Sequence, residues 1–191
     1  MEVPMRAAVV KKSLRRWHLG TVAVAMTTAS AAITLAIIGP EATLPISALV
    51  GWALPFVLHG LLRRSSEAVG APSTPFGYAI GAMFLGIVLV PMMLQRTAAG
   101  VGAVVGDPRL ATRQIPLVAG WVLAQFLPIV VGLVAGFGVA WAVSGVLQVL
   151  LLAVMTWQIQ AAAVEHVELQ ERDAFRVGDA AGHRVPVAVR S

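Results

Sequence analysis

Four histidines, two glutamines inside a long uncharged stretch and one glycine-rich run are the residues of this sequence that invite a chemical reading. His18 opens one apolar segment and His59 closes the next. An antiparallel pair of helices brings both to one leaflet, where two imidazoles can ligate a metal or a haem. The same positions suit rings bonded to carbonyls or headgroups, and a carbonyl near the Pro55 kink is the partner expected for His59. His166 and His183 stand in an acidic tail with Glu165, Glu168, Glu171 and Asp173. "EHVE" lacks the ligand spacing of a zinc motif. The glycines of "GVGAVVG" (100–106) have the density of a phosphate loop, but a dinucleotide fingerprint needs a preceding strand, a following helix and a later acid, and none is present. Met26, Met83, Met92, Met93 and Met155 are scattered as packing residues are. With no cysteine there is no thiolate site. No catalytic residue, metal or cofactor is therefore expected.

The glutamines are more telling. From Gln114 to Val164, 51 residues carry no Asp, Glu, Lys or Arg. One helix of that length would extend about 76 Å against a hydrocarbon core of about 30 Å. Two helices joined by a tight turn fit, and "AGFG" (135–138) is the place most rich in helix breakers. Gln125 then lies 11 residues before Gly136 and Gln148 lies 12 after it, at one depth on neighbouring antiparallel helices. An amide in hydrocarbon needs a partner. The pair is expected to bond across the helices as structural glue of about 1 kcal/mol, with a polar pathway as the alternative. Gly132, Gly136, Ala140 and Ser144 form a small-residue stripe divided between the two arms, and Gly77 and Gly81 stand at GxxxG spacing; all are expected to pack helices.

The elements that position these residues are apolar segments. The composition is 58% hydrophobic and 12% charged, where a soluble domain carries roughly a quarter charged residues. Five segments are long enough to be membrane-embedded: 20–38, 44–62, 76–94, 115–134 and 139–160. The expected fold is an all-α, polytopic integral membrane bundle over 20–160. It is preceded by a basic segment, 1–19, and followed by a mixed-charge tail, 161–191. Residues 5–17 read as an amphipathic surface helix whose Lys11, Lys12, Arg15 and Arg16 reach lipid headgroups. The first apolar run is longer than a signal-peptide core and is taken as a retained span. The helix of the fifth segment should continue into the tail, with a small strand hairpin around 178–182.

The third segment decides the topology. Five full crossings place seven Lys and Arg on each face. A re-entrant third segment places all fourteen on one face. Because 76–94 is charge-free and long enough to cross, five crossings are expected, with the N-terminus inside and the C-terminus outside.

No ionisable acid or base lies inside any segment. That argues against a carboxylate pair, a proton relay and a charged coupling-ion site, the usual devices of intramembrane chemistry. The expected function is a non-enzymatic membrane subunit, acting as scaffold, anchor or assembly partner in a larger complex. A small oligomeric transporter or channel subunit is the alternative. The expected partners are the lipid bilayer and other membrane subunits in a homo- or hetero-oligomer, with no nucleic acid. Twelve Arg against two Lys resembles the bias of a GC-rich bacterial genome, so a bacterial cytoplasmic membrane is the expected location.

Overall fold

The computed structural model describes residues 11–13, 15–16, 43–135 and 137–182. His18, the segment 20–38, Gly136 and His183 lie outside the described residues. From Thr43 to Gly182, five helices follow one another among the described residues: α1 (Thr43–Val69), α2 (Gly77–Ala82), α3 (Gly86–Val105), α4 (Arg109–Ala135) and α5 (Phe137–Gly182). No strand occurs among the described residues.

Each boundary has a local cause. Pro45 sits in the first turn of α1, where its missing N–H costs nothing. Gly70 ends α1 with φ 71°, a left-handed conformation that glycine adopts without a Cβ clash. The Gly70 N–H donates to Glu67 O (3.3 Å) and the Ala71 N–H to Ser66 O (2.8 Å), the two bonds of a Schellman cap. "GDP" (106–108) both stops α3 and starts α4. Gly106 is left-handed at φ 78°, and the Asp107 N–H donates to Gly102 O (2.9 Å). The Asp107 carboxylate then accepts the Arg109 N–H (3.1 Å), as an N-cap does. The glycine run 100–106 is thus the end of a helix and its cap, and 95–114 is mostly helical.

The segment 76–94 is not one helix. α2 ends after six residues, and the chain reverses through 83–85 into α3. Leu85 leaves the helical region (φ −121°, ψ 41°), and the Phe84 and Leu85 N–H groups both donate to Gly81 O. A Cβ on Gly81 would stand 2.6 Å from Leu89 Cδ1, so the absent side chain lets α2 fold close against α3. Gly77 has no atom within 4 Å of its Cβ position, so the two glycines do not act as a packing pair.

Directions follow from the contacts. α4 and α5 are antiparallel with Gln125 beside Gln148 and Gln114 beside Gln158. The connector after α1 folds back along it, so that His59 meets Thr74 and Thr74 meets Thr97 of α3. α3 then runs alongside α1 toward the same end, where Gly100 lies against Pro72. At that end Lys11 pairs with Glu168 (3.1 Å) and Arg64 Nη1 donates to Ser13 Oγ (3.4 Å). The basic N-terminal segment and the charged part of α5, expected on opposite faces, therefore share one end. α5 itself runs unbroken to Gly182, so the region 178–182 is helix and not a strand hairpin.

The core runs through α1, α3, α4 and α5: Leu58, Leu62, Met93, Leu94, Val101, Trp121, Leu152, Met155 and Ile159 are all buried. Three stretches are long and apolar enough to cross a membrane: Val88–Val105, Arg109–Val130 and Val143–Ala174. That is fewer than the five segments anticipated. One of the five lies outside the described residues, and 76–94 is divided between two helices.

Candidate functional site

The polar groups buried in this bundle form two sets. The first joins α4 to α5. Gln125 Nε2 donates to Gln148 Oε1 (2.7 Å). Gln148 Nε2 donates to Ser144 Oγ (2.8 Å), and the Ser144 hydroxyl donates to the carbonyl of Ala124 (2.5 Å). The chain of bonds leaves α4 at Gln125, passes through two residues of α5 and returns to α4 one residue away. Gln148 uses its donor and its acceptor, and Ser144 both accepts and donates. Ala140 is fully buried one turn before Ser144, where its small side chain admits the neighbouring helix. Gly132 is also buried, and Gly136 lies outside the described residues.

The second set lies toward the end marked by Lys11 and Glu168. His59 Nε2 donates to Thr74 O (2.8 Å), so its carbonyl partner is on the connector after α1 and not at the Pro55 kink. The Thr74 and Thr97 hydroxyls meet at 2.9 Å, and Thr97 also donates to Met93 O (2.8 Å). Ser65 donates to Leu61 O, and Thr156 to Leu152 O. Gln114 Nε2 donates to Met155 O (3.2 Å) and to Gln158 Oε1 (3.0 Å), tying the start of α4 to α5. Several atoms in this part of the bundle have no hydrogen-bond partner: Ser66 Oγ, Gln114 Oε1, Trp121 Nε1, and both amide atoms of Gln160. Gln160 is 1% exposed.

Charged groups stay outside. Arg63 pairs with Glu67 (2.6 Å), Arg113 with Asp107 (3.1 Å), and Arg96 lies 5.8 Å from the Tyr78 ring centroid. Lys12, Arg15 and Arg16 are exposed, as a headgroup contact requires, while Lys11 is half-buried and already paired with Glu168. Among the described residues no Asp, Glu, Lys or Arg is buried, and no group of three His, Cys, Asp or Glu converges.

Sequence reasoning passed over Gln114, Gln160, Ser66, Thr74 and Thr97. Gln114 and Gln160 lie close to Arg113 and Glu165, and so resemble the polar ends of spans. The missed signal is periodicity: Leu152, Thr156, Ile159, Ala163 and Val167 recur at helical spacing, and Gln160 lies within that stripe.

Fold and site together define an all-helical protein with membrane-length apolar helices, whose buried polar groups, among the described residues, are amides, hydroxyls, one indole and one imidazole. Such a set can position hydrogen bonds, and it brings no carboxylate to a hydroxyl among the described residues. No known protein family, curated protein or solved structure matches the chain.

Proposed function

We propose that the chain is an integral scaffold of a bacterial cytoplasmic membrane, holding the projecting end of α5 at a fixed place on the membrane surface. The carrying observation is the length of α5. Its 46 residues extend about 69 Å, more than twice the roughly 30 Å hydrocarbon core. Its first part lies in the uncharged stretch that ends at Val164. Beyond it the helix carries the exposed Glu165, Arg172, Asp173 and Arg176. A helix of this form passes from lipid into water and offers a polar, rigid rod for assembly.

The topology we propose differs from five crossings. α1, α4 and α5 cross, together with the segment 20–38 read as its sequence predicts. α2 and α3 dip in and return. In this topology the Lys and Arg that flank the crossing segments fall on one face, that of Lys11 and Glu168, and the positive-inside bias makes that face cytoplasmic. Impermeant maleimide tests it. Cysteines placed at the exposed Ala103 and Ala174 should be shielded in intact cells and labelled after permeabilisation. Labelling of either from outside overturns the topology. For the scaffold itself, a partner should co-purify with the full chain in mild detergent and be lost on truncation after Ala163. A monodisperse chain with no partner would remove the scaffold reading.

A small oligomeric transporter or channel subunit is the second reading, and the unpartnered amide of Gln160 favours it. Gln125 and Gln148 are already bonded to each other, as are Gln114 and Gln158. Liposomes containing the purified chain should then pass water or neutral solutes faster than protein-free liposomes; equal rates eliminate this reading.

A further inference from the structure

We infer that Gln160 is a buried hydration site, where at least one water molecule is held by the side-chain amide inside the helix bundle. The site does not rest on the scaffold reading; it starts from the same unpartnered amide that favours the transporter reading, and holds whether or not solute passes. A carboxamide offers two N–H donors and an acceptor oxygen. Neither its nitrogen nor its oxygen has a protein partner, and the side chain is 1% exposed. Leaving such a group dry forfeits its hydration with no hydrogen bond in return. Nothing on the same face of α5 relieves it. Thr156, one turn earlier, gives its proton to the carbonyls of Leu152 and Ala153, and Ile159, Ala163 and Val167 have no side-chain polar atom.

The guest must be small, neutral, and able both to donate and to accept. No charged side chain is buried among the described residues, so an ion would have no counter-charge there. The residues that follow Gln160 are Ala161, Ala162 and Ala163, the smallest side chains that keep a helix intact. Glu165, the first exposed charged residue of α5, is five residues away, about 8 Å along the helix, so bulk water is near. The Thr156 oxygen retains acceptor capacity on the same stripe. Water meets each of these conditions, with two to four polar contacts being its usual complement in protein interiors.

Two measurements on the full chain decide the matter. In the wild-type protein, labelled with nitrogen-15 glutamine in liposomes, magnetisation from water should reach the Gln160 side-chain amide. Its signal is assigned by its loss in Gln160→Leu, and the exposed Gln170 amide serves as the reference. Transfer within a few-fold of Gln170 is expected. No transfer to Gln160 overturns the site, whatever the variant does. The second measurement is thermal unfolding in detergent. Gln160→Leu should lower the Tm by about 2–4 °C, because the water loses its holder. An unchanged or higher Tm shows a dry amide that leucine improves, and also overturns the site. Should the variant fail to fold, the amide signal is assigned with Gln160→Glu and the transfer experiment alone decides.

Discussion

The two helical hairpins of this protein are held together by different means. α4 and α5 are long, run antiparallel, and carry their own cross-link. The Gln125–Gln148–Ser144–Ala124 chain begins and ends on α4 and passes through α5, so these four residues bond only within the hairpin. α2 and α3 make no such bond. α2 has six residues, its turn exposes Phe84 (79%) and Leu85 (59%), and its close contact is the space left by Gly81. What fixes this hairpin lies at its base, where His59 and Thr97 hold Thr74. Polar bonds in this helix bundle thus serve two purposes: one set makes a unit, and the other docks a unit to its neighbour.

That contrast can be broken most directly at the docking bonds. His59→Leu removes the donor to a buried carbonyl and should cost about 2 kcal/mol. The effect should be local. Hydrogen exchange should rise across 70–82 and stay unchanged in 115–160. Equal rises in both regions would show that the hairpins are not separate units.

A smaller effect is expected within α4–α5. Gln125→Leu should cost about 1 kcal/mol, and Gln148→Leu somewhat more because Gln148 makes two bonds rather than one. The double variant should lose less than the sum, measured by unfolding in mixed micelles. Strict additivity would mean that the two amides do not interact.

The smallest effect separates the two glycines. Gly81→Ala puts a methyl against Leu89 Cδ1, the far end of a flexible side chain, and should cost a few tenths to about 1 kcal/mol. Gly77→Ala meets open space and should be neutral or stabilising by about 0.5 kcal/mol. Equal costs would restore the GxxxG pair.

What could be read from the sequence follows from where its signals are strong. The absence of charge from 114 to 164, set against bilayer thickness, divides that stretch in two, and α4 ends at Ala135 where α5 begins at Phe137. Counting outward from that turn brings Gln125 to Gln148. The reversal at 83–85 was not legible. Met83, Phe84 and Leu85 are apolar and none is a helix breaker, and hydropathy has no sense of direction, so a dip and a crossing look alike. Gln160 was hidden differently. A polar residue five positions before Glu165 resembles a span end, and only its burial in the folded bundle shows that it faces inward. In the tail, alternating residues resembled a strand pair, yet 178–182 continues α5 because the helix already nucleated upstream adds one bond per residue.

The unbroken course of α5 has a mechanical consequence. It contains no proline, so it has no hinge of the kind that proline introduces. From Gln160 to Gly182 it extends 22 residues, about 33 Å. A change in tilt of about 10°, within the range by which spanning helices adjust to bilayer thickness, carries its tip about 6 Å sideways. The two arms on either side of Gln160 are of nearly equal length, so a tilt of the apolar arm would be matched by a sideways displacement of similar size at the charged tip.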